Sequence, residues 1–303
     1  MERVECMDIM DILRTQTIAL IGAGGKMGCR ITNNLIRTDL RFLPVETGER
    51  GIENLKQWGL TPVPQAEAVP AADIVVFAVP DVLIGKIAGG IVPAMKPGSL
   101  LMLLDPAAAY LDQLPIREDI GYVVSHPCHP PVFNDETDPE ARRDFFGGVK
   151  AKQSIVTALM KGPESDFVRG EALAKLQYGP ILRSHRITVE QMAILEPAMA
   201  ETVSSMLVTL MGDALREAVK AGVPEEAAYD FMMGHVNVQL GIVLGRAGYN
   251  FSDACLTAIE YGRNRIIREG WESVFQPDSV REQIDIMLHP ERLAKAGTRE
   301  EKA

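Results

Sequence analysis

At 303 residues the chain is long enough for one large or two ordinary domains. Its 47% apolar and 24% charged content is that of an ordinary folded protein, and a net charge of −10 excludes a general polyanion or nucleic-acid binder, since nothing would neutralise phosphates in bulk. Four scattered cysteines (Cys6, Cys29, Cys128 and Cys255) include no CxxC pair, which excludes a zinc ribbon and a disulfide framework and suits a reducing, cytoplasmic setting.

Met1 to Asp8 is acidic and carries no apolar run of its own, so no signal peptide is expected. No stretch reads as apolar and long enough to span a bilayer, and no membrane is expected as a partner. The C-terminal run from Lys295 to Ala303 is polar and reads as frayed.

Thr17 to Ile21 is an apolar run that meets a glycine cluster, and a helix is expected from about Lys26 to Arg37. Arg41 to Glu46 reads as extended and Gly51 to Trp58 as a small helix. Asp73 to Pro80 is a continuous apolar run of the kind covered on both faces of a sheet, followed by a helix from Val82 to Val92. Ser99 to Asp105, Gly121 to Ser125 and Ser154 to Met160 complete the expected strands. Strands and helices alternate at short spacing, which predicts an α/β fold with a doubly wound parallel sheet of Rossmann type over residues 1–186. From Thr188 the pattern turns helical, with breaks at Gly222-Val223-Pro224 and Gly245 to Gly248, so an all-helical domain is expected over 187–303.

Ile18 to Gly28 places strand, glycine turn and helix start in the order a dinucleotide site requires. A strict GxGxxG does not fit, because Met27 stands where a glycine would. The frame that fits puts Gly22, Ala23 and Gly24 in the turn, Gly25 against pyrophosphate, Lys26 and Met27 at the helix start, and Gly28 where helix packs on strand. The helix start offers free N–H groups and positive potential to phosphate. Glu46 ends the second strand about 20 residues on, where a carboxylate accepts ribose hydroxyls and repels a 2′-phosphate, so NAD is expected over NADP. Asp81 follows the next strand and either lies along the nicotinamide side or caps its helix.

Two of the five histidines stand in Ser125-His126-Pro127-Cys128-His129-Pro130-Pro131. Prolines stiffen this run at a strand end, where such sheets bind ligands. His126 is the candidate for acid–base work or metal ligation, His129 for support of the loop, and Cys128 for packing. Glu196 is one of only two charges between Gln191 and Gly212, the other being Glu201. A carboxylate in an apolar helix needs a partner, a metal or a catalytic task. The two glutamates are roughly 140° apart on an α-helix, so one of them faces a site, and Pro197 beside Glu196 marks a kink.

The Gly-Gly-x-Met-Gly turn, the strand ending Ala78-Val79-Pro80-Asp81, the strand ending His126-Pro127 and the helical second half resemble the superfamily of 6-phosphogluconate, 3-hydroxyacid and prephenate dehydrogenases and ketol-acid reductoisomerases. The segments His126 to Glu136, Ala151 to Ser154 and Ala158 to Pro163 are similar to the D-apionate oxidoisomerase family within it. The resemblance implies an NAD-linked oxidation of a branched sugar acid, D-apionate, coupled to rearrangement of its skeleton into 3-oxo-isoapionate. By analogy with the reductoisomerases it implies a divalent cation, Zn²⁺, Mn²⁺ or Mg²⁺, with His126 and Glu196 as its ligands or as acid–base groups. It also implies a homodimer through the helical half, where Met192, Met199, Met206 and Met211 form a stripe suited to a core or an interface. A simple hydroxy-acid dehydrogenase and a non-catalytic NAD sensor are the alternative readings.

Overall fold

The computed structural model describes residues 9–293; the expectations for Cys6, the acidic N-terminus and the frayed C-terminus fall outside them. Seven strands form one sheet: β1 (Thr17–Ile21), β2 (Arg41–Val45), β3 (Ile74–Phe77), β4 (Leu100–Leu103), β5 (Gly121–Pro127), β6 (Gln153–Lys161) and β7 (Ile181–Arg186). They lie in the order β2-β1-β3-β4-β5-β6-β7. The expected parallel run holds from β2 to β5, and β1, β3 and β4 are buried along their length, as apolar runs covered on both faces should be. β6 then turns antiparallel to β5, and β7 is parallel to β6, so the sheet is mixed at that edge.

The helices of this unit are α1 (Ile9–Leu13), α2 (Lys26–Leu35), α3 (Glu49–Lys56), α4 (Gln65–Ala71), α5 (Asp81–Ile91), α6 (Ala107–Tyr110), α7 (Glu164–Gln177) and α8 (Val189–Ala193). Neither α7 nor β7 was expected. The α7 helix buries Phe167, Ala172, Leu173 and Ala174, and it packs on β5, β6, α1 and α2. Gly170 lets it approach closely, since a Cβ there would lie 2.7 Å from the Val123 side chain.

Contacts divide the chain between Ala193 and Ile194 and return the segment from Ile284 to the first unit. The second unit, Ile194–Gln283, is helical: a π-helical segment (Ile194–Ser205), α9 (Met206–Lys220), α10 (Glu225–Val243), α11 (Asp253–Ile266) and the start of α12 (Pro277–Leu288). Thr202 donates to Gln283 Oε1 at 2.6 Å, and Gln283 Nε2 donates to the Val274 carbonyl at 2.7 Å.

Val189–Lys220 runs as one helical stretch of 32 residues, and by length and composition an 18-residue window of it, at a mean hydropathy of 1.2, is apolar enough to cross a membrane. This corrects the expectation that no such stretch exists. The sequence hid it because Pro197 and two glutamates interrupt the pattern. The same features weigh against a membrane span, because an intramembrane carboxylate is costly.

The strand that carries His126 is fixed by β6 and by Tyr178. Ser125 Oγ donates to the Val156 carbonyl at 2.9 Å and lies 3.1 Å from Thr157 Oγ1, while Tyr178 donates its hydroxyl to the Ser125 carbonyl at 3.0 Å. Tyr178 is 2% exposed, so its phenol has no route to bulk water. Tyr178→Phe should cost about 1 kcal/mol in urea unfolding at unchanged slope. An unaltered midpoint would show that this bond does not hold β5.

Candidate active site

The glycine turn between β1 and α2 is shaped by close approach. Gly22 has φ +80°, a region that favours glycine. A Cβ on Gly28 would lie 1.9 Å from the Gly22 carbonyl oxygen, and one on Gly24 would lie 2.0 Å from that of Gly51. Gly28 therefore lets α2 sit against the turn, and Gly24 lets α3 do so. Gly25 precedes the first helical residue, Lys26, and leaves the first N–H groups of α2 open to an anion. Ala23 is buried, and its carbonyl accepts from the Thr32 hydroxyl at 3.0 Å. Met27 packs against the core.

Glu46 follows β2 directly. Its carboxylate accepts from Gly24 N at 3.0 Å and from Thr47 N and Gly48 N, each at 2.9 Å. The acid thus stands at the glycine turn itself, with its charge held by three backbone donors. Such a cradle fits a dinucleotide: small residues line the approach, a helix N-terminus faces it, and a carboxylate borders it.

The carboxyl ends of β3, β4 and β5 bring three titratable groups together. Phe77, Leu103 and Val124 are paired across these strands. Asp105 and His126 each stand two residues beyond their paired residue, so both project at the same level of the sheet. A carboxylate oxygen of Asp105 and a ring nitrogen of His126 lie within 4.8 Å of each other, and both side chains are half-buried. Asp105 also accepts from Ala107 N at 2.7 Å, which orients it at the start of α6. Asp81 opens α5. Crowding by protein and then the Asp105 charge push its carboxyl up to about 6, against the pull of His126. Asp81 therefore feels the Asp105–His126 pair directly.

Asp105 was missed in the sequence, where it read as the end of its strand. The available signal was its position: a carboxylate just past a buried parallel strand lies at the ligand edge of the sheet. An oxygen and a nitrogen converging at this distance suit one divalent cation of intermediate hardness.

His126 lies within β5 rather than after it. The ring of His129 meets that of His126 edge-on, centroids 6.0 Å apart, and meets Phe146 edge-on at 5.8 Å. His129 has φ +59°, and its Nδ1 lies 2.9 Å from the Phe146 carbonyl oxygen. Burial holds its imidazole below the usual histidine range. Lys26 Nζ and the Arg30 guanidinium lie over the Phe146 ring at 4.7 and 4.9 Å, and Arg30 donates to the Gly147 carbonyl at 2.7 Å. Cys128 is exposed rather than packed.

Glu196 belongs to the helical unit, half-buried in the first turn of the π-helical segment. A π-helix bonds i to i+5, so residues five apart fall close to one face. Glu196 and Glu201 are therefore not on faces roughly 140° apart, a spacing that holds only for an α-helix.

Two family models cover most of the chain: the NADPH-binding domain of acetohydroxy acid isomeroreductase over residues 12–131, and the C-terminal part of decarboxylating phosphogluconate dehydrogenase over 134–288. A D-apionate oxidoisomerase of Cupriavidus necator is 51% identical over 89% of this chain and 98% of its own length. Another from Blautia hydrogenotrophica is 41% identical over 91% and 97%. A solved structure from Cupriavidus necator, described as a semialdehyde dehydrogenase NAD-binding protein in complex with calcium and NAD, superposes with a TM-score of 0.88 at 50% identity, covering 90% of this chain and 99% of that one. An NADH-preferring ketol-acid reductoisomerase from an uncultured archaeon shares the fold at 20% identity and a TM-score of 0.69. With identity of this order along nearly the whole length, the chain belongs to the family of the D-apionate oxidoisomerases.

Proposed function

We propose that this protein is an NAD-dependent oxidoisomerase that converts D-apionate to 3-oxo-isoapionate in the cytoplasm. The observation that carries the reading is the convergence of Asp105 and His126 at the carboxyl edge of the sheet that bears the glycine cradle, in a chain 51% identical to a D-apionate oxidoisomerase. NAD supplies the hydride acceptor, and a divalent cation (Zn²⁺, Mn²⁺ or Mg²⁺) supplies Lewis acidity at the substrate oxygens.

The chain's own groups do the rest. Gly22 to Gly28 seat the dinucleotide, and the carboxylate of Glu46 disfavours a 2′-phosphate. His126 serves either as the base for the hydroxyl that is oxidised or, beside Asp105, as a ligand of the cation, because a ring nitrogen on the cation has no lone pair left for a proton. In the rearrangement a second hydroxyl gives up its proton as a carbon migrates from its carbon to the new ketone; the carbon left behind becomes a ketone, and the oxygen of the first ketone takes up the proton and becomes a hydroxyl. Asp105 and His126 are the ligands proposed for the cation, an O,N pair that suits Zn²⁺ or Mn²⁺. From the helical unit we assign Glu196 to the same chemistry, as ligand or acid–base group. A π-helical distortion at a carboxylate beside Pro197 supports this, because such distortions gather at functional positions. Asp81, whose carboxyl feels both Asp105 and His126, borders the nicotinamide side.

The helical unit supports a homodimer. Phe231, Tyr261, Ile266 and Val243 are each more than 60% exposed there, large apolar side chains of the kind that a partner surface covers.

Purified protein should reduce NAD⁺ with D-apionate and much less readily NADP⁺, and NMR of the product should show a rearranged carbon skeleton. His126→Ala should lower turnover about a hundredfold or more with NAD affinity intact. An unrearranged product would identify a simple dehydrogenase, and equal use of NADP⁺ would refute the role of Glu46.

Removing divalent ions with a chelator should abolish turnover, and metal readdition should restore it. Asp105→Asn should then need at least about tenfold more metal for half-maximal rate. A demonstrably metal-free protein working at full speed would refute the cation.

Light scattering should give the mass of two chains, and Phe231→Glu should shift it toward one. A monomeric wild type would overturn the dimer.

A further inference from the structure

The segment after β5 holds a second imidazole in a defined chemical state. The Phe146 carbonyl oxygen, 2.9 Å from His129 Nδ1, can only accept a hydrogen bond, so Nδ1 must carry the proton. In a neutral imidazole this leaves Nε2 as an acceptor with its lone pair outward. The loop that supplies the carbonyl is itself pinned. Arg30 donates to Gly147 O at 2.7 Å, Asn34 donates to Gly148 O at 3.0 Å, and Lys26 and Arg30 flank the Phe146 ring. His129 keeps a left-handed backbone, φ +59°, uncommon for any residue but glycine, and the arrangement sets its ring edge-on to that of His126. Strain of this kind is retained where the surroundings over-determine it, and it clusters at ligand sites.

We propose that His129 is a substrate-binding residue: its Nε2 accepts a hydrogen bond from a hydroxyl of the polyhydroxy acid on which His126 acts. The assignment rests on the activity proposed above. It separates the two histidines by chemistry, His126 at the reacting hydroxyl and His129 reading a second one. A hydroxyl at that point pairs with an otherwise idle acceptor, and an analogue lacking it leaves the acceptor unpaired, which is how a polar site discriminates.

Two substitutions divide this role from loop support. His129→Asn tolerates the left-handed backbone and keeps a donor near the place of Nδ1, but offers nothing at the reach of Nε2. His129→Gln extends an amide toward the place of Nε2 and forfeits the short donor. We expect H129N to keep the melting temperature and NAD affinity of the wild type while KM for D-apionate rises about tenfold, and H129Q to lose less in KM despite lower stability. An H129N enzyme with wild-type KM would reduce His129 to a loop pin.

Nitrogen-15 NMR of the NADH-bound protein reads the same site without turnover. His129 should show a protonated Nδ1 and an unprotonated Nε2, and the Nε2 signal should move on adding D-apionate. A fixed Nε2 signal, or a proton on Nε2, overturns the assignment. Wild-type protein that binds D-apionate through this signal yet never reduces NAD⁺ would instead overturn the activity and leave the binding role standing.

Discussion

Parallel register is the constraint on which the site depends. Ile74, Leu100 and Gly121 are paired across β3, β4 and β5, and the pairing runs without slippage to Phe77, Leu103 and Val124. Parallel strands all end at one edge, so whatever follows each of them is delivered to the same place. Neighbouring strands lie about 4.8 Å apart. Two side chains at equal distance beyond paired positions of adjacent strands must then stand within reach of one cation or one substrate oxygen, as Asp105 and His126 do, each two residues beyond the Leu103–Val124 pair. A slip of one residue would turn either side chain to the other face and dissolve the pair.

The switch to an antiparallel strand makes this arrangement rigid. With β6 running back along β5, the pairing continues past Ser125 to His126 and Pro127, opposite Val156 and Ile155. A parallel run ending at β5 would have left His126 on an edge. Here the histidine is inside a ladder, with Ser125 tied to β6 and to Tyr178 beneath it. Cys128 N continues the pattern by donating to the Ser154 carbonyl at 2.8 Å. Only after that bond does the chain leave the sheet, and His129 takes the left-handed turn that brings it against Phe146. One group is thus fixed by the sheet and the other by a loop pinned to α2. That division matches a reacting base beside a binding residue.

Much of the first unit was legible because its signals are local. Buried parallel strands are short apolar runs, and the glycine turn is dense in residues that only close packing demands. Less legible were features set by tertiary contact. The β7 strand, Ile181–Arg186, is largely exposed and alternates weakly, so no apolar run marks it. The α7 helix hides its buried face among charges that pair with each other and with neighbours, such as Asp166 with Arg169 at 2.5 Å and Lys175 with Glu171 at 2.8 Å. Asp105 was passed over because its chemistry belongs to the strand beside it in space. Gly24 was legible as small, but its reason, the carbonyl of Gly51, lies on another helix.

The second unit shows the limit of reading periodicity alone. Pro197 was rightly a sign of distortion, since it removes a backbone donor from the helix. A kink is one response to that loss, and a π-helical segment of 12 residues is another. The choice alters the chemistry. Under α-helical geometry Glu196 and Glu201 diverge, and only one of them can serve a site. With i to i+5 bonding they fall near one face of the helix. Both glutamates are the charges in an otherwise apolar stretch, and widening the helix is what aligns them. The proline thus does more than mark a distortion: the widened helix around it brings two carboxylates toward one face, which an even α-helix with the same residues would not do.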